Sequence, residues 1–282
     1  MIGQKQLLST AKLQIENNVF PKFSIIVGEE GSGKKTFMET LSKEWRFSYI
    51  CDDVKVDTIR KMIEFAYKTG DDGNCVYIMP DADKMSLQAK NSILKIVEEP
   101  PRSVSFLMSA VSIESVLPTI RSRAGIYRII PYSSDEKLEY IRSIDKSFLD
   151  SSYLNFTLNV CNTLSDISQM LKIDPGALIK HINSIIEKCS SISIANLLKS
   201  SQSIKLNEKD EGFPLKLYLK SFQNVCVTRM SDEEVDRYVL SEMVSITERV
   251  LGRLSVRTAN RSMLYDEWIL GIREAGLNRL RR

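Results

Sequence analysis

Residues 76–101 constrain the fold most strongly, because they combine a buried strand, a polar turn and a helix. Residues 76–79 are consecutive apolar residues, which is typical of a parallel strand buried on both faces. A polar turn over residues 80–83 follows. Ser86 is a suitable N-cap for a helix that Pro100 would end. This order predicts one strand–turn–helix unit of an α/β domain.

A second unit of this kind occurs upstream, with a glycine-rich loop between its strand and its helix. Residues 23–27 form a mostly apolar run, and the loop that follows contains Gly28, Gly31 and Gly33. Glycines let backbone N–H groups turn toward a phosphate, and the positive end of the helix dipole adds to that site. The order of strand, glycine loop and helix therefore predicts a phosphate-binding P-loop.

The residues after this loop suit phosphate better than magnesium. Lys34 is placed to reach the β- and γ-phosphates of a nucleotide. A Ser or Thr should come next and hold Mg²⁺, but that position is Lys35, and Thr36 follows one residue later. One residue along a helix turns a side chain by about 100°. We expect a loop that holds ATP or ADP without hydrolysis and needs no other cofactor; the alternative is a loop that binds nothing.

Residues 76–101 closely resemble the clamp-loader branch of the AAA+ ATPases. Active members have four apolar residues, then Asp-Glu-Ala-Asp, and a helix that ends in Leu-Leu-Lys-x-Leu-Glu-Glu-Pro-Pro. Pro80 stands where the Mg²⁺-binding Asp belongs, and Asp81 where the catalytic Glu belongs. Proline has no carboxylate, and Asp81 is one methylene shorter than Glu. The resemblance therefore implies a degenerate Walker B motif and no bound metal.

Two more positions carry the resemblance. Residues 104–108 predict a buried strand that ends at Ser109, where the family has a small polar residue that senses the γ-phosphate. A serine at this place is also an ordinary turn residue. Arg123 lies in Leu-Pro-Thr-Ile-Arg-Ser-Arg-Ala, which resembles the clamp-loader Ser-Arg-Cys motif with Ala124 in place of Cys.

In the family, the arginine of this motif is the arginine finger, which points into the nucleotide site of the neighbouring subunit. The resemblance thus implies that Arg123 is catalytic in trans, neutralising charge on the transferred phosphoryl group. Arg121 is the nearby alternative. If Arg123 has no such function, it is an arginine that forms a salt bridge at the surface.

After residue 131 the strand patterns end and helical patterns continue to the C-terminus. Helices are predicted at 134–142, at about 152–170 and at 175–188. The resemblance implies three domains: an AAA+ P-loop α/β domain (parallel sheet with flanking helices) over residues 1–131, a three-helix lid over 132–189, and an all-α collar for oligomerisation over 190–282. The collar residues expected to face inward are Asn260, Leu264, Trp268, Ile269 and Ile272.

Composition limits the classes of function. The 282 residues include 39 basic and 36 acidic side chains, a net charge of +3, which does not indicate a dedicated nucleic-acid binder. The five cysteines have no zinc-ligand spacing and are expected to be buried thiols. No apolar run approaches the ~20 residues of a membrane helix, so we expect a cytoplasmic protein.

The chain combines an intact arginine motif with a damaged Mg²⁺ site. In this it resembles the delta-prime type of subunit in the bacterial DNA polymerase III clamp loader. That resemblance implies gamma/tau-type ATPase and delta subunits as partners, with the sliding clamp and primed DNA reached through the complex. Two alternatives stay open. A gamma-like ATPase would use Asp81 or Asp83 to hold the metal, although residues 174–180 lack the lid arginine of active subunits. An AAA+-derived binding module would have no clamp.

Overall fold

A computed structural model describes residues 2–51, 53–69, 74–191, 193, 213–231, 236–254 and 260–278 of the chain. The chain divides into two compact units. The first is Met1–Tyr140 with Thr163–Ser165, and the second is Ile141–Asn162 with Asp166–Arg282. The first unit holds a β-sheet, whereas the described part of the second is helical.

Five parallel strands form the sheet: β1 (Phe23–Val27), β2 (Phe47–Ile50), β3 (Cys75–Met79), β4 (Val104–Ala110) and β5 (Gly125–Arg128). Their order across the sheet is β2–β3–β4–β1–β5. Every residue of β1, β3 and β4 is buried, which explains why these strands are nearly continuous apolar runs in the sequence. The predicted parallel sheet is confirmed.

The sequence patterns do not predict β5, which lies at one end of the sheet. It pairs with β1, and Tyr127 is its one buried residue. A four-residue strand that is half exposed leaves no apolar run for a pattern to detect.

The helices of the first unit are α1 (Lys5–Glu16), α2 (Lys34–Leu41), α3 (Val56–Thr69), α4 (Leu87–Ser92), α5 (Leu94–Glu98), α6 (Pro118–Arg121) and the greater part of α7 (Ser134–Ile144). Ser86 is confirmed as an N-cap, since its Oγ accepts a hydrogen bond of 3.2 Å from Ala89 N. The single helix expected after Ser86 is instead α4 and α5. Ile93 separates them with ψ near −8°, and its side chain is fully buried in the core.

Helices cover both faces of the sheet and create two hydrophobic cores. On one face, α1 and α2 pack against strand residues that include Ile26, Val76 and Leu107. On the other face, the helices α3 to α6 pack against the alternate strand residues, such as Ile25 and Met108. Burial on both faces is what permits an all-parallel sheet.

A row of four aromatic rings crosses the sheet in the second of these cores. The strand register places Tyr49 beside Tyr77, Tyr77 beside Phe106, and Phe106 beside Phe23. The ring centroids are 5.0, 5.6 and 6.0 Å apart in that order. Because cross-strand aromatic pairs stabilise a sheet beyond the area they bury, this row fixes the register of four strands.

The second unit contains α8 (Leu154–Val160), most of α9 (Leu164–Met170), α10 (Pro175–Lys188), α11 (Leu215–Arg229), α12 (Arg237–Leu254) and α13 (Arg261–Asn278). The predictions for α7 and α10 are confirmed. The single helix predicted over 152–170 is wrong, because Cys161 is extended and separates α8 from α9. The Asp166 carboxylate accepts a hydrogen bond of 3.1 Å from Asn162 N, which satisfies a backbone donor outside the helix.

Four of the five residues expected to face inward near the C-terminus are buried within this unit: Leu264, Trp268, Ile269 and Ile272. The expectation for Asn260 is wrong, since it is exposed at the start of α13. Its Oδ1 accepts hydrogen bonds from Ser262 N and Met263 N at 3.1 and 3.3 Å. Asparagine is favoured at such a position because it satisfies helix N–H groups that have no intrahelical partner.

All five cysteines are buried, as the sequence predicts. Burial raises the pKa of the Cys226 thiol to about 12. Within the described residues, no helix combines the length and apolar character needed to cross a membrane.

The aromatic row generates a prediction about stability. Replacing Phe106, which is fully buried, by Ala should lower the free energy of unfolding by about 3–5 kcal/mol, because the change removes two ring contacts and leaves a cavity. Urea denaturation followed by circular dichroism measures this. Phe47→Ala is the control, since Phe47 is 41% exposed and should cost less than about 1 kcal/mol. Equal losses for the two variants would contradict the assigned role of the row.

Candidate functional site

The glycine loop connects β1 to α2 and has the backbone conformation that its glycines allow. Gly31 and Gly33 have φ of 77° and 87°, in the left-handed region that favours glycine. A Cβ on Gly31 would lie 2.6 Å from the Cβ of Ser165, and one on Gly33 would lie 2.9 Å from the Tyr132 hydroxyl. Conformation and packing therefore both require glycine at these two positions.

Lys34 opens α2, and its side chain turns back over the loop. It is 8% exposed, and Nζ donates hydrogen bonds of 2.7 Å to Gly28 O and 2.8 Å to Glu29 O. Burial lowers the pKa of Lys34, while the nearby carboxylates of Asp83 and Asp81 oppose that shift. A phosphate bound in this loop would accept the third N–H of the ammonium or replace one of the two carbonyl groups.

Lys35 and Thr36 lie on the exposed side of α2. Lys35 Nζ is 3.9 Å from Glu39 Oε1, one turn along the helix. The backbone carbonyl of Thr36 accepts a hydrogen bond of 2.7 Å from Thr40 Oγ1. The position next to the loop lysine thus presents a cation rather than a metal-binding hydroxyl.

The turn after β3 contains Pro80 and Asp81. Asp81 has φ of 58°, and its backbone N–H donates a hydrogen bond of 2.9 Å to Ser109 Oγ. Its carboxylate forms an ion pair of 2.7 Å with Lys84. The structure therefore brings Asp81 and Ser109 together, with Ser109 accepting a hydrogen bond from the turn.

Asp83 joins the ends of two neighbouring strands. Its carboxylate accepts a hydrogen bond of 2.6 Å from Val111 N and a second from the Ser115 hydroxyl, and both donors follow β4. Each carboxylate oxygen thus has one donor, which holds Asp83 in place, and a metal ion would share the carboxylate with these two donors.

Arg123 follows α6 and lies on the surface. Its side chain is 45% exposed, and Nη2 is 3.3 Å from Glu98 Oε1 at the end of α5. Nη1 donates a hydrogen bond of 3.1 Å to Thr119 O. These partners are near Arg123 in sequence or on α5, and none of them belongs to the glycine loop.

Tyr132 is a residue of this region that sequence reasoning missed. Its hydroxyl donates a hydrogen bond of 2.9 Å to Ser32 O in the glycine loop, and a Cβ on Gly3 would lie 2.5 Å from its ring. Gln4 completes the arrangement, because its carboxamide both donates to Ile130 O and accepts from Ile130 N, at 2.6 and 2.9 Å. Only the long-range contacts reveal the role of Tyr132, since this residue stands in no recognisable pattern.

Within the part of the chain that the structure describes, no group of three or more His, Cys, Asp or Glu side chains could hold a metal ion. Lys34, the loop glycines, Asp81 and Ser109 lie near one another at the carboxyl ends of β1, β3 and β4. The arrangement can offer backbone N–H groups and one ammonium to a phosphate.

Several known proteins are similar to this chain in sequence. Residues 9–133 match the family model described as DNA polymerase III, delta subunit. The chain is 21% identical to the gamma subunit of DNA polymerase III from Buchnera aphidicola over 78% of its own length and 66% of that protein. It is 24% identical to the delta′ subunit of the same organism over 71% of this chain and 69% of that protein. These matches support a place in the clamp-loader AAA+ family.

A solved structure shows the same fold. The gamma subunit-related protein of Thermotoga maritima superimposes with a TM-score of 0.52 at 16% identity, over 95% of this chain and 99% of that one. At this level of identity the likeness concerns the fold alone. It agrees with a clamp-loader-like α/β unit followed by helices.

The contacts of Asp81 and Asp83, the two acids after β3, generate a prediction about stability. Asp83→Asn should lower the free energy of unfolding by about 1–2 kcal/mol, because one of the donors at Val111 N or Ser115 loses a charged acceptor. Asp81→Asn should cost less than about 1 kcal/mol, since its ion pair is exposed. Thermal and urea denaturation measure both. Mg²⁺ should leave the melting temperature unchanged; a rise that Asp83→Asn abolishes would contradict this account.

Proposed function

We propose that the chain is a delta-prime type of clamp-loader subunit of DNA polymerase III, which does not hydrolyse ATP and supplies Arg123 in trans to a neighbouring ATPase subunit. The observation that carries the proposal is the bonding after β3: Pro80 has no carboxylate, Asp81 pairs with Lys84, and Asp83 binds groups that follow β4. The proposed partners are gamma/tau-type and delta subunits, with the sliding clamp and primed DNA reached through the complex.

The chain's own loop fits a nucleotide phosphate but not its metal ion. The left-handed glycines and the start of α2 suit an anion, and Lys34 is a buried cation that can exchange its carbonyl partners for phosphate oxygens. The position for the metal-binding hydroxyl carries Lys35, whose charge would repel Mg²⁺. We propose that ATP or ADP bound in this loop is held and not hydrolysed, which leaves the loop a structural or sensing role.

Arg123 has the exposure that action on another subunit requires. Its guanidinium is held by one carboxylate, one carbonyl and the Ser122 hydroxyl at the surface, and none of these contacts buries it. An exposed ion pair contributes about 0–1 kcal/mol, so a neighbouring phosphate can take the place of Glu98 at little cost. We propose that residues 132–189 and 190–282 form the lid and the collar that hold such a neighbour in position.

A gamma-like ATPase is the second candidate, and the comparisons favour neither, because the relatives include both a gamma and a delta′ subunit. Such an enzyme would need Asp81 or Asp83 as its metal ligand. Both carboxylates already have protein partners, and this observation favours the non-hydrolysing subunit.

The proposal predicts that the purified chain has no ATPase activity above the buffer background. Pro80 removes the metal-binding carboxylate, Lys35 replaces the metal-binding hydroxyl, and residues 174–180 offer no lid arginine. Phosphate release at saturating ATP and Mg²⁺ measures this. Lys34→Ala is the control for contaminating enzymes: turnover that this variant abolishes would belong to the chain and would favour the gamma-like ATPase.

The role of Arg123 is tested in a clamp loader reconstituted with its other subunits. An arginine finger contributes roughly 10³–10⁵ in rate where chemistry limits turnover. Only one of several ATP sites would touch this chain, so Arg123→Ala should lower total ATPase activity in part and clamp loading further. Arg121→Ala is the matched control and should leave both near the level of the unmutated complex.

Size-exclusion chromatography of the reconstituted complexes completes this test. The Arg123→Ala complex should assemble normally. Unchanged ATPase activity and clamp loading would exclude the arginine-finger role, and failure to assemble would make Arg123 an interface residue instead.

A further inference from the structure

The strand β2 differs from the three buried strands of the sheet. It is terminal in the strand order, and all four of its residues are exposed, with Phe47 41% and Ile50 46% exposed. β1, β3 and β4 have no exposed residue. A terminal strand with large apolar side chains is a template for a further strand.

The backbone of β2 has hydrogen-bonding groups directed away from the sheet. Phe47 N donates to Asn74 O, and Cys51 N donates to Ile78 O, so the odd-numbered residues face β3. In a parallel ladder, alternate residues face opposite sides. The N–H and C=O groups of Ser48 and Ile50 therefore face the outer edge, where an added strand could form hydrogen bonds with them.

Three aromatic side chains beside this edge form what we call the edge patch: Phe47, Tyr49 and Phe65. The rings of Tyr49 and Phe65 meet edge to face at 5.6 Å, while Tyr49 also stacks on Tyr77. Phe65, on α3, is 46% exposed. The edge patch therefore continues the buried aromatic row onto the surface, where it can bind apolar side chains of an added strand.

Among the described residues next to Phe47 and Phe65, three are basic and one is acidic. The guanidinium carbon of Arg46 lies 5.1 Å from the centre of the Phe47 ring. On α3, Lys61 and Lys68 are four residues before and three residues after Phe65, which places them next to it on the helix surface. Glu64 is the acid beside Phe65, and three cations against one acid favour a negatively charged partner.

We propose that the edge of β2 binds an extended, acidic segment of another protein, which adds a sixth strand to the sheet. Its backbone would bond to Ser48 and Ile50, its alternate apolar side chains would contact the edge patch, and its carboxylates would face Arg46 and Lys61. Strand addition of this type gains affinity from main-chain hydrogen bonds and specificity from alternate side chains. The site is separate from the glycine loop and from Arg123, so it does not depend on the function proposed above.

Two other occupants fit less well. A second copy of the chain paired through β2 would bring the basic residues beside the two edge patches together, and their like charges would repel. A single-stranded nucleic acid could stack on the aromatic rings, but its backbone offers no alternating N–H and C=O groups to the open strand edge.

The test begins with a displayed library of random peptides of about ten residues, which is the upper end of usual strand length. The library is selected on the full chain and counter-selected on Ile50→Pro. Proline at this position removes one outward N–H and leaves the bonds to β3 in place, and edge strands tolerate it. The enriched sequences should have apolar residues at alternate positions and an excess of Asp and Glu.

The most enriched peptide is then synthesised with a fluorophore, and its affinity is measured by fluorescence anisotropy. Ile50→Pro should weaken binding at least about fivefold through the lost hydrogen bond, whereas Ile50→Val, which keeps the N–H, should not. Lys61→Glu should weaken binding, whereas Arg60→Glu, the same charge change on the adjoining helix position, should have a smaller effect. Circular dichroism checks that each variant is folded. If Ile50→Pro does not fold, the comparison of Lys61→Glu with Arg60→Glu still tests the proposal.

Several results would overturn the proposal. These are an absence of enrichment above the display background, enriched peptides without an acidic excess, and affinities that none of these variants changes. Binding of an oligo-dT strand that Tyr49→Ser abolishes, without any peptide binding, would assign the edge patch to nucleic acid. Self-association in sedimentation that Ile50→Pro abolishes would assign the edge to a second copy.

Discussion

Parallel strands that are buried on both faces favour apolar side chains and leave charged groups to the ends of the strands. β1, β3 and β4 are wholly buried, and their carboxyl ends lie at one edge of the sheet. The glycine loop, the turn at Asp81 and the hydroxyl of Ser109 all follow from this constraint. Asp81 N donates a hydrogen bond to Ser109 Oγ, which joins two of these groups. Burial lowers the pKa of Lys34, and the carboxylates of Asp83 and Asp81 oppose that shift.

The polar groups at the carboxyl ends of these strands already have hydrogen-bond partners within the protein. This has different consequences for the binding of a phosphate and of a metal ion. Lys34 can exchange two carbonyl partners for phosphate oxygens, which provide charge to a buried ammonium. A metal at Asp83 would instead share the carboxylate with two hydrogen-bond donors, Val111 N–H and the Ser115 hydroxyl. Pro80 offers no carboxylate in the turn, and the carboxylate of Asp81 is paired with Lys84.

The sequence predicts the parts of this structure that depend on local pattern. Buried strands such as β3 have apolar runs because both faces are covered, and Ser86 is a recognisable cap. Features that depend on distant partners were not predictable. β5 is too short and exposed to form a pattern, and Tyr132 acts only through contacts about a hundred residues away. Asn260 is a different case: the resemblance implies that it faces inward, yet its side chain caps the backbone of the next turn.

The contacts of the loop and of Arg123 carry different weight as signs of function. Gly31 and Gly33 are required by packing against Ser165 and Tyr132, and Lys34 binds carbonyl groups of its own loop, so the loop shape is fixed without any nucleotide. An intact loop therefore says little about whether ATP binds. The contacts of Arg123 are exposed: the pair with Glu98 contributes about 0–1 kcal/mol, and the guanidinium also donates to Thr119 O and the Ser122 hydroxyl. Arg123 is thus the stronger basis for the function proposed above.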